Sequence, residues 1–423
     1  MTATDALAGG ASPGKRLAPV APGDRIFTLD VLRGFAILGI LAVNAAAFAW
    51  PMALEMGSGL KEPWPHDAAN IIGGWVTEVF FHNKARSLFS MLFGASIFLI
   101  GGERRDEARG ALLWRRLLWL GVFGLIHGAA FWYGDILLHY AYTGVIVMLM
   151  RSWSAKTLIW TGALLNLVFG LLSAAAFVGQ AFMGADGNAA AASAGPFAVT
   201  QEQLAATIQA YQSGWPAALI ENLKAEALLQ AMSLTLIPIT GGLMLLGMGL
   251  FKSGFFSGKA PTWVYVLLLL IGGANLAALG WYEWLKAWTP HGSPDPTNGL
   301  AGIAGSFAPL ITLAYASLLI LMTRFGLKAV TGILAPVGRM AFTNYLTQTL
   351  IMTTLFYMPW GPHWFGDPAW GPGQLWLAVG GIWIAQLIWS PLWLSVFSMG
   401  PLEWLWRCLM YGRIVPIRKA ASA

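Results

Sequence analysis

The chain contains many continuous apolar runs that reach the roughly 20 residues a helix needs to cross the hydrocarbon core of a bilayer. One run reads "LLWLGVFGLIHGAAFWY" and does not alternate as the strands of a membrane barrel do. A backbone in lipid must satisfy its own hydrogen bonds, which leaves helices or closed barrels. Only 10% of the residues are charged, against roughly 25% in soluble domains. The sequence therefore predicts an all-α, polytopic helical membrane protein.

The apolar runs predict ten membrane-spanning helices, and the charges between them predict their orientation. Lys and Arg residues in short loops mark the cytoplasmic side of a membrane protein. With ten spans, every basic cluster of this chain falls on one side, so both termini are predicted to be cytoplasmic. The predicted helices cover residues 28–50, 86–102, 112–132, 134–150, 156–182, 227–251, 261–283, 301–324, 337–358 and 373–398.

The predicted domain organisation has one large unit between two short ends. Residues 1–24 are small, polar and proline-rich, and predict a flexible cytoplasmic tail without a cleaved signal peptide. Residues 25–400 form a single transmembrane domain. Residues 401–423 are predicted as an interfacial helix followed by a basic cytoplasmic tail. Segment 68–82 is predicted to be an amphipathic or re-entrant helix.

Charge and cysteine content exclude several classes of function. The formal charge of +6 does not indicate a nucleic-acid partner, because the basic residues are spread over short loops. Cys408 is the only cysteine, which excludes an internal disulfide and a cysteine-based metal site. No P-loop, G-x-S-x-G or H-E-x-x-H motif is present, and no metal is expected. Membrane lipids are the expected surroundings.

The stretch "HGAAFWYGDILLHYAYTG" places His127, Asp135 and His139 inside apolar sequence. An ionisable group inside a membrane costs a few kcal/mol, so it needs a partner or a function. With a turn at "FWYG", Asp135 begins the fourth helix and His139 follows one turn later on the same face. Asp135 could simply cap that helix, and His127 could be a core histidine bonded to a carbonyl. Three ionisable groups across one hairpin favour a site.

The first and second predicted helices carry further ionisable groups. Asp30 and Arg33 share a helix face, either as a structural ion pair at the cytoplasmic mouth or as part of a site. Lys84 and Arg86, next to His82, lie where the second helix leaves the outer side. They either extend toward lipid headgroups or form a positive edge that holds Asp135 or an anionic substrate.

The ninth predicted helix contains the stretch "GRMAFTNYLTQT". Thr343 can bond back to its own helix and Gln348 can bond across helices. Arg339 is predicted near the cytoplasmic entrance, where it could meet phosphates.

These stretches carry a resemblance to a known family. "TLDVLRGFAILGILAVN", "GLIHGAAFWYGDILLHYAYTG" and "GRMAFTNYLTQTLI" resemble the YeiB-like bacterial inner-membrane proteins, long described as a domain of unknown function, and the likeness spans nearly the whole chain. That family is considered part of a transmembrane acyltransferase superfamily that includes heparan-α-glucosaminide N-acetyltransferase. The resemblance implies transfer of an acyl group from cytoplasmic acyl-CoA to an acceptor on the other side, with a histidine as base.

The resemblance leaves two histidines open as that base. The heparan enzyme has its catalytic histidine in the loop after the first helix, and His66 falls at a comparable distance before the second helix. His127 and Asp135 instead fit the YeiB-like pattern, so His127 is the first choice and His66 the alternative. The "RG" at 33–34 and Asn44 resemble the first-helix motif of the heparan enzyme.

Acyl transfer needs a base for the nucleophile and a donor to the developing oxyanion. Asp135 would orient His127, acyl-CoA (acetyl-CoA in the first instance) would be the donor, and a glycan or small molecule outside would be the acceptor. The predicted acyl-CoA-binding residues are Arg33, Arg339, the Arg115–Arg116 pair, Thr343, Asn344, Tyr345 and Asn44. The predicted substrate-binding residues are Lys84, Arg86, His139 and Gln348.

Two other classes of function remain open. A transporter would hold its substrate near the bilayer midplane at broken helices, and Pro238, Gly241 and Gly242 allow a break in the sixth predicted helix. A non-catalytic membrane assembly factor is the third class. The sequence also leaves a homodimer open.

Overall fold

The computed structural model describes residues 26–56, 60–193, 197–288 and 303–419, and within them it contains helices and no β-strand. The predicted tail 1–24 and the last residues of the C-terminal tail lie outside the described residues. The helices are α1 (Phe27–Ala49), α2 (Met52–Glu55), α3 (Ala68–Val76), α4 (Lys84–Gly101), α5 (Glu107–Ala130), α6 (Leu137–Met148), α7 (Ala155–Ser193), α8 (Gln201–Gln212), α9 (Trp215–Ser233), α10 (Ile237–Lys252), α11 (Thr262–Trp288), α12 (Ala308–Arg324), α13 (Lys328–Gly332), α14 (Leu334–Arg339), α15 (Ala341–Phe356), α16 (Pro372–Val396) and α17 (Pro401–Tyr411).

Each of the ten predicted spans corresponds to a helix, and the all-α polytopic prediction is confirmed. Seven helical stretches of the described chain are long and apolar enough to cross a membrane, and two of them join consecutive helices: α3 with α4, and α9 with α10. The other predicted spans correspond to α5, α6 and α15. Helices α6 and α15 have only 12 and 16 residues. Fewer than a third of the residues are buried in the most apolar parts of α7, α11 and α16, whereas about two thirds or more are buried in α1 and in the stretch that joins α3 with α4. The exposed helices therefore form the lipid-facing periphery.

Two of the long stretches are interrupted. After α3, a π-helical turn (Thr77–Phe81) leads to Asn83, whose φ of 61° is left-handed and separates this segment from α4. Asn is one of the few residues other than Gly that adopts this conformation readily. A 3₁₀ turn (Leu234–Leu236) separates α9 from α10. This break lies just before Pro238, while α10 runs unbroken through Gly241 and Gly242.

The loops that carry the basic clusters contact one another on one side of the bundle. Lys252 Nζ donates to the carbonyl oxygens of Arg151 and Trp153, at 2.7 and 2.9 Å. Thr28 Oγ1 donates to Phe256 O at 2.6 Å. We call this side the basic face, and on the positive-inside rule it is the predicted cytoplasmic side. It comprises residues 101–106, 149–156, 252–261, 324–328 and 397–419.

The remaining connections meet on the opposite face. Trp132 Nε1 and Tyr133 Oη both donate to Ala47 O, at 3.2 and 3.0 Å. Gly366 N donates to Ala49 O at 2.9 Å. The first two bonds fix the hairpin between α5 and α6 against the end of α1, and the third fixes the connection between α15 and α16 there. We call residues 50–56, 131–136, 197–214 and 357–371 the opposite face.

Helices α1 and α14 cross in direct backbone contact. A Cβ on Gly34 would lie 2.1 Å from Leu334 O, and a Cβ on Gly338 would lie 1.9 Å from Asp30 O. Neither position can hold a larger residue without separating the helices. The "RG" at 33–34 and the "GR" at 338–339 therefore meet at this crossing. It holds the start of α1 against the segment that leads into α15.

Candidate functional site

A chain of three buried side chains links α5, α6 and α15. His127 Nδ1 lies 2.8 Å from Asp135 Oδ1, and His127 Nε2 lies 2.9 Å from Thr349 Oγ1. His127 is 3% exposed and Thr349 is buried as well. The predicted pairing of His127 with Asp135 is therefore present in the structure, and Thr349 is a third member that the sequence did not reveal.

Asp135 both caps α6 and binds the histidine. Its Oδ2 accepts a hydrogen bond from Leu138 N at 2.8 Å, while its Oδ1 faces His127. A carboxylate has an acceptor oxygen for each task, so Asp135 holds the start of α6 and His127 at the same time. The cap anchors the carboxylate at a helix N-terminus, which favours a negative charge.

This arrangement fixes which nitrogen of His127 carries the proton in its neutral form. A carboxylate can only accept, so Nδ1 donates to Asp135. Nε2 then has a free lone pair and accepts a hydrogen bond from the Thr349 hydroxyl. The lone pair of His127 Nε2 thus faces the Thr349 hydroxyl.

Tyr345 lies one turn before Thr349 on α15 and packs beside the same histidine. The ring centroids of Tyr345 and His127 are 5.3 Å apart. The Tyr345 hydroxyl is buried near the backbone of Ile136, without a hydrogen bond of normal geometry in the described part of the chain. The Tyr345 hydroxyl is therefore a buried group beside His127 whose proton is not used by a described residue.

His139 belongs to a second, neighbouring network rather than to Asp135. Its Nδ1 lies 2.7 Å from Tyr142 Oη and its Nε2 lies 2.9 Å from Thr240 Oγ1. Tyr142 is bonded in turn to Ser233, at the end of α9. His139 thus connects α6 with α9 and α10. Both of its ring nitrogens are bonded to protein side chains, so these contacts do not support its predicted role in substrate binding.

Glu226 on α9 is a buried carboxylate that the sequence analysis did not single out. Its Oε1 accepts from Gln230 Nε2 at 3.0 Å, and its Oε2 is buried without a hydrogen-bond partner among the described residues. Glu226 is close enough to Asp135 for the two carboxylates to interact electrostatically. The predicted sixth span began at residue 227, so Glu226 fell just outside the predicted membrane segment.

Three polar residues of α15 serve packing, which corrects the roles predicted for them. Both amide hydrogens of Asn344 are used, on Val337 O and Ser390 Oγ, at 3.1 Å each. The Gln348 amide donates to Ile37 O and Gln386 Oε1 at 3.3 and 2.9 Å. Since an amide has two hydrogens, neither residue has a donor left for a thioester or a substrate.

Thr343 is the third of these residues. Its hydroxyl donates to Glu403 Oε2 at 2.5 Å, so it fastens α17 to the start of α15.

Three arginines converge at the basic face. Arg116 on α5 is close enough to Arg33 and Arg407 for mutual electrostatic repulsion. Its guanidinium lies 4.8 Å from the ring centroid of Trp406. Arg33 pairs with Asp30 at 3.4 Å. The concentration of positive charge makes this a candidate anion site.

The other two arginines predicted for that site are placed differently. Arg339 Nη2 donates to Ser398 O at 3.2 Å, which ties α14 to the C-terminal connection. Arg115 is exposed and lies near Gly412. Of the predicted Arg115–Arg116 pair, only Arg116 therefore faces the cluster.

The cations predicted at the outer end of the second helix lie next to the break at Asn83. Lys84 is buried and donates to Glu78 O at 2.8 Å, and Arg86 donates to Asn83 Oδ1 at 3.1 Å. Arg86 also interacts electrostatically with His139. Neither cation is within 4 Å of a carboxylate in the described residues. Both stabilise the interrupted backbone, and neither reaches Asp135.

His66 and Asn44 lie apart from this arrangement. His66 is exposed, and none of the ion pairs in the described part of the chain includes it. Asn44 is half-buried on α1 and makes no side-chain hydrogen bond to a described residue. The alternative base therefore lacks an orienting carboxylate, whereas His127 has one.

A cavity of about 190 Å³ opens at the opposite face. Tyr133, two residues before Asp135, forms part of its wall, together with Met52 of α2, Tyr211 of α8 and Lys224 of α9. Among the described residues, no group of three or more His, Cys, Asp or Glu side chains is arranged to hold a metal ion.

Fold and site together define a multi-pass helical membrane protein with a buried Asp–His–Thr chain near one face and an arginine cluster at the other. The family model described as "Protein of unknown function (DUF418)" matches residues 250–413. The uncharacterized protein YxaH of Bacillus subtilis (strain 168) is 31% identical over 95% of this chain and 98% of its own length. The uncharacterized protein YeiB of Escherichia coli (strain K12) is 32% identical over 91% of this chain and 96% of its own.

The chain belongs to this YeiB-containing family, as its motifs predicted. A third relative, an uncharacterized 39.9 kDa protein in the amylase 3' region of Bacillus acidopullulyticus, is 28% identical over 94% of this chain and 97% of its own length. No solved structure matches the chain significantly.

Proposed function

We propose that this protein is a membrane-embedded acyltransferase of the bacterial inner membrane. It would move an acyl group, in the simplest case acetyl, from cytoplasmic acyl-CoA to an acceptor at the outer face. The observation that carries the proposal is the His127 chain, in which a buried carboxylate orients one ring nitrogen and leaves the other as a base. General base catalysis of this kind contributes roughly 10²–10⁴ in rate.

The arginine cluster supports the choice of an anionic donor. Arg116 precedes His127 by eleven residues on α5, which is about three turns and about 16 Å along the helix axis. At 3.6 residues per turn the two side chains emerge on the same helix face. A donor whose phosphates bind Arg33 and Arg116 could therefore extend its acyl end along α5 toward His127. Arg–phosphate contacts are among the strongest polar contacts in proteins.

The acceptor side is supported by the cavity at the opposite face. Tyr133 lines this cavity and belongs to the hairpin that holds Asp135. The cavity walls also carry the Lys224–Glu221 ion pair, whose atoms are 2.6 Å apart. The lining is mostly apolar, and its polar groups, which include Gln203, Thr207 and this ion pair, would bind a polar acceptor such as a glycan or a small hydroxyl or amine compound. Acyl-CoA would be the only cofactor required.

Vesicles of defined orientation test this proposal. Purified protein is reconstituted into liposomes, radiolabelled acetyl-CoA is supplied at the basic face, and release of free CoA is followed together with labelled products on the other side. Release of CoA by wild type, and its loss in His127→Gln, is the expected result. His66→Ala is the control. If His66→Ala abolishes CoA release and His127→Gln does not, the base lies in the loop.

Two breaks in the long helices favour a solute transporter as the second candidate. Transporters bind their substrates at interrupted helices near the bilayer midplane, and here Asn83 and the Leu234–Leu236 turn interrupt two stretches. Glu226 and Asp135 would be the ionisable pair of such a protein. Uptake of a solute that depends on Glu226 and needs no acyl-CoA would select this candidate.

A further inference from the structure

We infer that Thr349 carries the acyl group between donor and acceptor, as an ester on its side-chain oxygen. The inference rests on the proposed acyl transfer and adds a covalent step to it. Thr349 Oγ1, His127 and Asp135 follow one another in hydrogen-bonded order, with distances of 2.9 and 2.8 Å. This is the order of nucleophile, base and orienting group that activates serine and threonine hydroxyls in enzymes.

The hydroxyl of Thr349 is committed to the histidine rather than to its own helix. A threonine inside a helix ordinarily bonds back to the carbonyl three or four residues earlier. Thr347 does so, with Oγ1 2.9 Å from Thr343 O. For Thr349 the corresponding distance, to Tyr345 O, is 3.5 Å, at the limit of a hydrogen bond. The short bond of Thr349 is the one to His127.

Tyr345 supplies the second group that acyl transfer requires. A thioester carbonyl under attack develops negative charge on its oxygen, and a preorganised donor stabilises that charge. The buried Tyr345 hydroxyl lies beside His127, one turn from Thr349, and makes no hydrogen bond of normal geometry to a described residue. A buried donor without an acceptor costs free energy, which a bound carbonyl oxygen would recover.

The covalent step balances with the donor and acceptor alone. Thr349 Oγ1 attacks the thioester carbonyl carbon while His127 Nε2 takes the hydroxyl proton. The carbon–sulfur bond then breaks, the proton passes from His127 to the sulfur, and CoA leaves as a thiol. In the second half, the acceptor attacks the threonine ester, His127 takes the acceptor proton, and Thr349 Oγ1 receives it as the acyl group departs.

This sequence suits a site between two faces of a membrane. Donor and acceptor need never be bound together, because the acyl group waits on the protein between the two half-reactions. CoA can therefore leave toward the basic face before the acceptor arrives from the opposite face.

The test is direct detection of the ester. Detergent-purified full-length protein is incubated with radiolabelled acetyl-CoA without acceptor, quenched in acid, and digested for mass spectrometry. We expect up to one acetyl group per chain on the peptide containing Thr349, with a matching burst of free CoA. Thr349→Ala should lose both, and Thr349→Ser should keep both with the label on serine. Thr347→Ala, with its ordinary helix bond, should label like wild type.

A further variant separates the oxyanion donor from the nucleophile. Tyr345→Phe keeps the ring beside His127 and removes only the hydroxyl, so the label should still reach Thr349 but about 10²–10³ times more slowly. An unchanged labelling rate would overturn the role of Tyr345.

Two outcomes would overturn the inference in different ways. If Thr349→Ala releases CoA and acylates an acceptor as fast as wild type, or if the label lies on another residue, Thr349 is not the carrier while acyl transfer stands. If folded wild type neither binds acetyl-CoA nor releases CoA from it, the acyltransferase proposal fails and the covalent step fails with it. Labelling of Thr349→Ser would show that the loss of label in Thr349→Ala comes from the missing hydroxyl and not from misfolding.

Discussion

Gly124 on α5 packs directly against the carboxylate of Asp135. A Cβ at Gly124 would lie 2.8 Å from Asp135 Oδ2 and 2.3 Å from Leu138 N, closer than real side-chain carbons approach. The missing side chain at Gly124 therefore lets the start of α6 approach α5 closely. As a result Asp135 reaches His127, which lies one turn after Gly124 on α5.

The first prediction concerns this approach. Gly124→Ala should push the start of α6 outward and break the His127–Asp135 hydrogen bond, lowering CoA release at least tenfold while the protein still folds. Gly121→Ala is the matched control, since a Cβ there would lie 3.4 Å from Ala141 Cβ, an ordinary contact. CoA release and thermal unfolding of both variants are measured side by side. Equal activity in the two variants would contradict the prediction.

The second prediction treats His127 and Asp135 as one unit. His127→Gln and Asp135→Asn should each lower acyl transfer by roughly 10²–10⁴, and the double variant should be hardly slower than either. Asparagine is a good helix cap, so Asp135→Asn keeps the cap of α6 and removes only the charge. His139→Gln should have the milder effect, because His139 bonds to Tyr142 and Thr240.

Additivity is the decisive measurement for this pair. Two independent structural defects would multiply in the double variant, and the loss would then appear in thermal stability as well as in rate. A double variant whose loss equals the product of the two single losses would rule out a shared catalytic role.

The third prediction concerns the donor site. Arg116→Gln should raise the acetyl-CoA concentration for half-maximal CoA release by about ten- to a hundredfold, since a hydrogen bond to a charged group contributes about 1.5–3 kcal/mol. Arg115→Gln removes the same charge from the neighbouring exposed position and should change this half-maximal concentration little. If both variants shift the value equally, only the overall charge of the basic face matters.

The fourth prediction tests orientation in the membrane. Cys408 is replaced by serine, and single cysteines are introduced at the exposed positions Arg105 and Glu202. A membrane-impermeant thiol reagent added to intact cells should label Glu202→Cys and leave Arg105→Cys unlabelled until the membrane is opened. Labelling of Arg105→Cys from outside would reverse the predicted topology and exchange the donor and acceptor faces.

The sequence predicted the helices well, because lipid imposes a length and an apolar composition on each span. It also predicted the His127–Asp135 pair, since a short hairpin brings the end of one helix to the start of the next. It could not predict Thr349, which is 222 residues from His127 and has no motif of its own. It placed Glu226 outside a span, because Glu221, Lys224 and Glu226 interrupt the apolar run there, whereas in the structure the helical stretch begins at Trp215.

The misassigned residues of α15 have a common physical cause. A polar side chain inside a membrane protein is either functional or a link between helices, and sequence alone does not decide between these. Asn344 and Gln348 bond to Ser390 and Gln386 of α16. Their partners become known only once the packing of α15 against α16 is known, whereas Tyr345, on the other side of α15, faces His127.

The bond between His127 and Thr349 has a consequence for biogenesis. A chain inserted into the membrane from its N-terminus presents His127 and Asp135 long before α15 leaves the ribosome. At that stage Nε2 of the histidine has no Thr349 hydroxyl beside it, so on the proposed mechanism a partly synthesised chain would meet cytoplasmic thioesters without reacting with them. On the proposed mechanism, reactivity would arise only when α15 docks against α5, so completion of the fold would precede activity.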